Sequence, residues 1–135
     1  MRDLCHDKRK EVDERRKHKR FRVQSGAFTV FTAFSWPHST QKLGQIINIS
    51  MGGLAFTYIT SEESPNVSLE LSIFLAGNRF HLRSIPFETI SDAEANEVPF
   101  SSINMKRSGV QFGELTPNQI SQLKYFIWNY TTGEV

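Results

Sequence analysis

Val67, Leu69, Leu71, Ile73 and Leu75 alternate with largely polar neighbours, a period of two held over nine residues. Side chains along an extended strand point to opposite faces in turn, so this run has one apolar face to bury and one to leave in water. A helix would scatter the same five residues around its circumference. The segment is therefore read as a strand of a sheet with one covered face.

Similar runs recur on both sides of it. Ala27 to Phe34 is rich in β-branched and aromatic residues and stops at Trp36-Pro37. Lys42 to Ile49 is a second run, followed by the turn pair Gly52-Gly53 and a third run, Leu54 to Ile59. Ser61-Glu62-Glu63-Ser64-Pro65-Asn66 reads as a loop, and Gly77-Asn78 as a tight hairpin turn into Arg79 to Ile90. The polar, acidic stretch Ser91 to Pro99 reads as another loop, before a last strand from Ile103 to Phe112. Six strands at this spacing, with no helix between them, predict a mainly β fold, an antiparallel barrel or sandwich.

The C-terminus changes period. Thr116-Pro117-Asn118-Gln119 fits a capping box with proline at the first helical position. Leu115 and Ile120 stand where a hydrophobic staple would close across it. Ile120, Leu123, Phe126, Ile127 and Tyr130 then fall on one face, which predicts an α-helix over about 116–130 packed on the sheet.

A chain of 135 residues has room for one such domain plus tails, and 39% hydrophobic residues with 11 phenylalanines suffice for its core. Charge divides it. Residues 1–22 hold ten Lys/Arg against five Asp/Glu, while the remainder holds six against nine. A basic arm, 1–20, thus precedes a mildly acidic body, 21–135, and implies an anionic partner that meets the arm. On charge alone, a solvated and partly helical tail explains it equally well. The i, i+4 pairs Glu11–Arg15 and Asp13–Lys17 support a helix by only about 0.2–0.5 kcal/mol each. The segment has no apolar face to bury, so it is expected to be flexible without a ligand.

Several functions are poorly served. The four histidines are scattered, without ligand spacing, and Cys5-His6 is far short of a zinc set. Neither a nucleophile elbow nor a phosphate-binding glycine loop occurs, which argues against an enzyme. No run approaches the roughly 18 apolar residues of a membrane span. The charged N-terminus and single cysteine fit a cytoplasmic protein.

Two segments carry recognition chemistry. In Arg15-Arg16-Lys17-His18-Lys19-Arg20, the spacing Arg16-x-x-x-Arg20 lets two guanidiniums converge on one anion. Their planar forks match a phosphate or the O6/N7 edge of guanine. Alone the pattern is cheap, since Arg79-x-x-x-Arg83 repeats it inside a strand. In Asn48-Ile49-Ser50-Met51-Gly52-Gly53, Asn48 and Ser50 offer donors and acceptors, and Gly53 permits close approach of a flat ligand. Alone, this is also an ordinary turn between two strands.

In this order the two segments resemble the signature of the PilZ family, Arg-x-x-x-Arg followed by Asp/Asn-x-Ser-x-x-Gly. Ser108-Gly109-Val110-Gln111-Phe112 and the capped helix resemble that family's last strand and helix, so the likeness spans roughly residues 15–130. It implies a six-stranded antiparallel β-barrel that binds the bacterial second messenger cyclic di-GMP on its outer surface. Arg16 and Arg20 would hold guanine edges and phosphates, Asn48 and Ser50 would hydrogen-bond the ligand, and Gly53 would leave room for it. Arg15, an extra arginine before the motif, favours binding of an intercalated pair of ligand molecules. The implied mechanism is ordering of the arm on ligand binding. With no output domain in the sequence, the signal would pass to a separate downstream protein. The main alternative is a ligand-independent adaptor of the same family. A nucleic-acid binder ranks last, because acidic residues interleave the arm and the body is acidic.

Overall fold

The computed structural model describes residues 18–35, 38–60, 66–77, 79–96 and 104–135. In chain order they form β1 (Phe21–Val23), β2 (Ala27–Ser35), β3 (His38–Ile49), β4 (Gly53–Thr60), β5 (Asn66–Leu75), β6 (Phe80–Asn96), β7 (Asn104–Phe112), α1 (Pro117–Tyr130) and β8 (Thr131–Glu134). Antiparallel pairing runs β2–β5–β6–β7–β4–β3 and returns from β3 to β2, closing a six-stranded barrel without free edges.

The period-two pattern places the core as expected. Leu71, Ile73 and Leu75 of β5 are buried, and their inward partners include Phe31, Phe56, Leu82, Ile85 and Val110. Phe31 packs between Phe56 and Tyr58, with ring centroids 5.2 and 5.3 Å apart. Fully burying a side chain of this kind contributes about 1.5–3 kcal/mol.

Two short strands lie outside the ring. β2 pairs with β3 only as far as Gln45, and β1 continues along that edge, with Phe21 opposite Ile49 and Arg22 opposite Asn48. A turn at Gly26, whose φ of +91° suits glycine, separates β1 from β2. The far edge of β1 is taken by β8. Neither three- or four-residue element carries enough pattern to be read as a strand beforehand.

The stretch expected to be a loop from Ser91 is strand as far as Asn96. Ser91, Asp92 and Ala93 pair with Gly109, Ser108 and Arg107 of β7. Ladder hydrogen bonds satisfy the backbone whatever the side chains are, and this outer rim tolerates polar ones. The arm pairs Glu11–Arg15 and Asp13–Lys17, with Trp36-Pro37, Asn78 and the loop residues 61–65 and 97–99, lie outside the described residues.

Helix α1 begins with the capping box: Thr116 Oγ1 accepts from Gln119 N–H at 3.1 Å, and Gln119 Oε1 accepts from Thr116 N–H at 3.0 Å. Leu123 and Phe126 are buried against the barrel, with Ile127 and Tyr130 half-buried beside them. Ile120, assigned to the same face, lies at its exposed margin.

Candidate functional site

The site is set by an irregularity in β3. Its pairing with β4 steps from Ile46↔Phe56 to Asn48↔Ala55, so Ile47 is an extra residue, a β-bulge. The bulge shifts the alternation by one. Ile46 and Ile49 both reach the core, and Asn48 falls in a cross-strand row with Arg22 on β1 and Ala55 on β4. Asn48 is nonetheless 5% exposed, because β1 covers that edge of β3.

Beyond Ile49 the chain turns at residues 50–53. Ser50 N–H donates to the Gly53 carbonyl at 2.8 Å, and Gly52 N–H donates to Ser50 Oγ at 3.1 Å. The Ser50 hydroxyl leans on the Gly53 carbonyl at 3.4 Å, and Phe112 N–H donates to the Gly52 carbonyl at 2.8 Å. The corner is thus closed on itself and pinned to β7. Gly53 is required here by β7 itself: a Cβ would overlap the Val110 carbonyl oxygen. The space that its missing side chain frees is filled by backbone, not kept open.

The root of the arm crosses this corner. A Cβ on Gly52 would meet the His18 ring at 2.6 Å, so the imidazole rests directly on that glycine. Val135 N–H donates to the Arg20 carbonyl at 2.9 Å, continuing the β1–β8 ladder outward. Lys19 and Glu134 stand 4.0 Å apart at the exposed rim. Arg20, Ser50 and Gly53 therefore line one cleft of about 630 Å³, together with His18, Gln111 and Ile120. A second recess of about 320 Å³ lies against it, sharing Arg20, Ile90 and Val110 and holding Ala55, Ser91, Arg107 and Gly109.

Of the six expected site residues, Arg20, Ser50 and Gly53 are brought together at the cleft surface. Asn48 is buried in β3 just before the corner, and Arg15 and Arg16 lie outside the described residues. Of the competing pair, only Arg83 is in a strand: it is exposed on β6, where Nε donates to His81 Nδ1 at 3.5 Å, while Arg79 lies in the turn before it. His18, Gln111, Ile90 and Arg107 were missed. His18 alone had a local signal, its place inside the basic run; the others reach the site only through strand register.

An exposed arginine beside a polar corner suits an anion carrying a flat, hydrogen-bonding group. Among the described residues, no three His, Cys, Asp or Glu side chains cluster as metal ligands would. No helix among them is long and apolar enough to cross a membrane. A different polar cluster lies five residues along β4 from Gly53. Tyr58 donates its hydroxyl proton to Asp92 at 3.1 Å, and Lys106 Nζ stands 3.6 Å from the same carboxylate. Burial, then the charge and hydrogen bond of Asp92, push the Tyr58 phenol well above its ordinary value.

Residues 14–128 match the PilZ domain family. Among solved structures, the PilZ domain of YcgR from Escherichia coli, determined with c-di-GMP, is similar in fold. Its TM-score is 0.65 at 15% identity, covering 86% of this chain and 91% of that one. No curated protein matches the chain at a significant level.

Proposed function

The chain belongs to the PilZ family, and on that premise we propose that it is a cytoplasmic receptor for cyclic di-GMP, acting by binding rather than catalysis. The carrying observation is the single cleft shared by Arg20 of the arm root with Ser50 and Gly53 of the corner. Residues 1–20 serve as the reading arm and 21–135 as the body that receives it. Arg16 and Arg20 grip guanine edges and phosphates with paired N–H donors. Ser50 adds a hydroxyl, which can exchange its partner in the corner for the ligand. Asn48, opposite Arg22 of β1 and two residues before Ser50, offers its amide to the ligand.

The energetics allow this. Hydrogen bonds to charged groups contribute about 1.5–3 kcal/mol each. Ordering a residue costs about 1–2 kcal/mol. Because Arg20 is already tied to the ladder through Val135 and His18 rests on Gly52, the proposed ordering concerns the residues before His18. The ordered arm presents a new surface to a downstream protein. Arg15 supplies a further guanidinium for a second, intercalated ligand molecule.

Titration calorimetry with cyclic di-GMP tests the reading. The wild type is expected to bind, with two ligands per chain. Arg20→Ala is expected to abolish binding, and Arg15→Ala to reduce the stoichiometry to one. No heat from the wild type would leave a ligand-independent adaptor in its place. Equal amide exchange of residues 8–17 with and without ligand would refute the ordering of the arm.

A further inference from the structure

We infer that Arg107, on β7, reads a second guanine of the bound nucleotide in the recess beside the main cleft. The inference rests on the receptor reading above and adds to it a residue that decides base specificity.

Cyclic di-GMP is two-fold symmetric, with two guanines and two phosphates. The cleft around Arg20, Ser50 and Gly53 accounts for one end of such a ligand. The adjoining recess shares Arg20 as its near wall, so one arginine faces both compartments. Its floor is made of the smallest residues available. Ala55, Gly109 and Ser91 stand in register across β4, β7 and β6, and a Cβ on Gly109 would meet Ser91 Oγ at 2.7 Å. The register shift between Thr89 and Ser91 makes Ile90 the extra residue, and its side chain is left 64% exposed on the recess wall. A low floor beside an exposed aliphatic wall is a seat for a flat, partly apolar ring.

Arg107 is the polar group of this seat. It is exposed, and lies opposite Thr57 on one side and Ala93 on the other. The carboxylate next along β6, Asp92, is engaged by Tyr58 and Lys106. Among the described residues, the Arg107 guanidinium makes no ion pair. Its fork is free to donate two parallel N–H bonds. Guanine presents two acceptors, O6 and N7, to such a fork, whereas adenine replaces O6 with an amino donor. Arg107 would therefore favour guanine over adenine in this compartment, and a lysine, with one point charge and no fork, would not.

The experiment compares cyclic di-GMP with the mixed cyclic dinucleotide carrying one guanine and one adenine, using calorimetry on the wild type, Arg107→Ala and Arg107→Lys. The wild type is expected to prefer cyclic di-GMP by roughly tenfold, the lower range of one bidentate base contact. Arg107→Ala should lose that tenfold for cyclic di-GMP, bind the mixed ligand within twofold of wild type, and keep the wild-type melting temperature. Arg107→Lys should behave as the alanine variant does. Equal loss for both ligands, recovery by lysine, or unchanged cyclic di-GMP affinity in Arg107→Ala would each overturn the assignment. Those results leave the receptor reading intact, whereas a wild type that binds neither ligand removes both.

Discussion

Arg22 and Asn48 face one another in register across the β1–β3 ladder, which brings Arg20, two residues outward, to the mouth of the Ser50–Gly53 corner. The root of the arm, at Arg20, is therefore positioned by backbone pairing. β1 is only three residues long and depends on β8 for its second edge, where Phe21, Arg22 and Val23 oppose Glu134, Gly133 and Thr131. Ending the chain at Tyr130 should leave the barrel folded, as read by circular dichroism. It should weaken cyclic di-GMP binding roughly tenfold, since a few ladder hydrogen bonds at about 0.5–1.5 kcal/mol each no longer hold the arm root. Calorimetric affinity at wild-type level in the truncated protein would disprove the anchoring role.

Thr29 points into the core, and among the described residues its fully buried hydroxyl has no hydrogen-bond partner. Such a group loses its hydration and gains nothing in return, a cost of about 1–3 kcal/mol. Valine has nearly the same shape and no polar atom. Thr29→Val should raise stability by about 1 kcal/mol, or roughly 4 °C in melting temperature. Calorimetric melting checks this, and a lower midpoint would mean that the hydroxyl has a role in the fold.

The barrel was legible because its signal is local: Leu71, Ile73 and Leu75 announce an inward face by spacing alone, and Thr116 to Gln119 announce a helix start by side-chain chemistry. The corner at the cleft was legible as a motif, since Ser50 and Gly53 are three residues apart in the chain and both line the cleft. Their reasons were less accessible. Gly53 is demanded by the Val110 carbonyl, far downstream on β7, and Asn48 is set in its cross-strand row by a bulge that no residue type signals. Arg107 and Ile90 come beside the cleft through the register of three strands, which includes a bulge at Ile90. Polarity misled in one place. Ser91 to Asn96 reads as loop because its side chains are polar, yet the ladder to β7 is made by backbone groups.

Gln119 ties the helix to the barrel as well as capping it. Its Nε2 donates to the carbonyls of Arg83 and Ser84, both at 3.0 Å, while its Oε1 completes the capping box. Ser84 has a φ of +57°, a left-handed conformation, at the shift in register between β5 and β6. Gln119→Ala loses the reciprocal cap and both anchoring bonds and should destabilise by about 1–2 kcal/mol. Ser84→Gly keeps the carbonyl and relieves a backbone conformation that disfavours side chains, so it should stabilise by up to about 1 kcal/mol. Urea unfolding of the two variants should move their midpoints in opposite directions. Parallel shifts would show that the helix anchor and the bulge are not balanced as described.

The Tyr58–Asp92–Lys106 cluster makes stability depend on alkaline pH in a defined direction. The unfolded phenol ionises near its ordinary value of 10.0, while burial and the Asp92 carboxylate hold the folded one protonated well above that. Below pH 10 both states carry the proton and the hydrogen bond contributes in full. Above it the unfolded state releases a proton that the folded state keeps, so unfolding binds fewer protons and stability falls as pH rises. Tyr58→Phe removes a hydrogen bond to a charged acceptor and should cost about 1.5–3 kcal/mol at neutral pH. It also removes this contribution to the alkaline decline. Urea midpoints measured at about pH 8 and about pH 11 should therefore lie closer together in the variant than in the wild type. Parallel pH dependence in the two proteins would mean that the Tyr58 phenol ionises in the folded barrel as readily as it does in the unfolded chain.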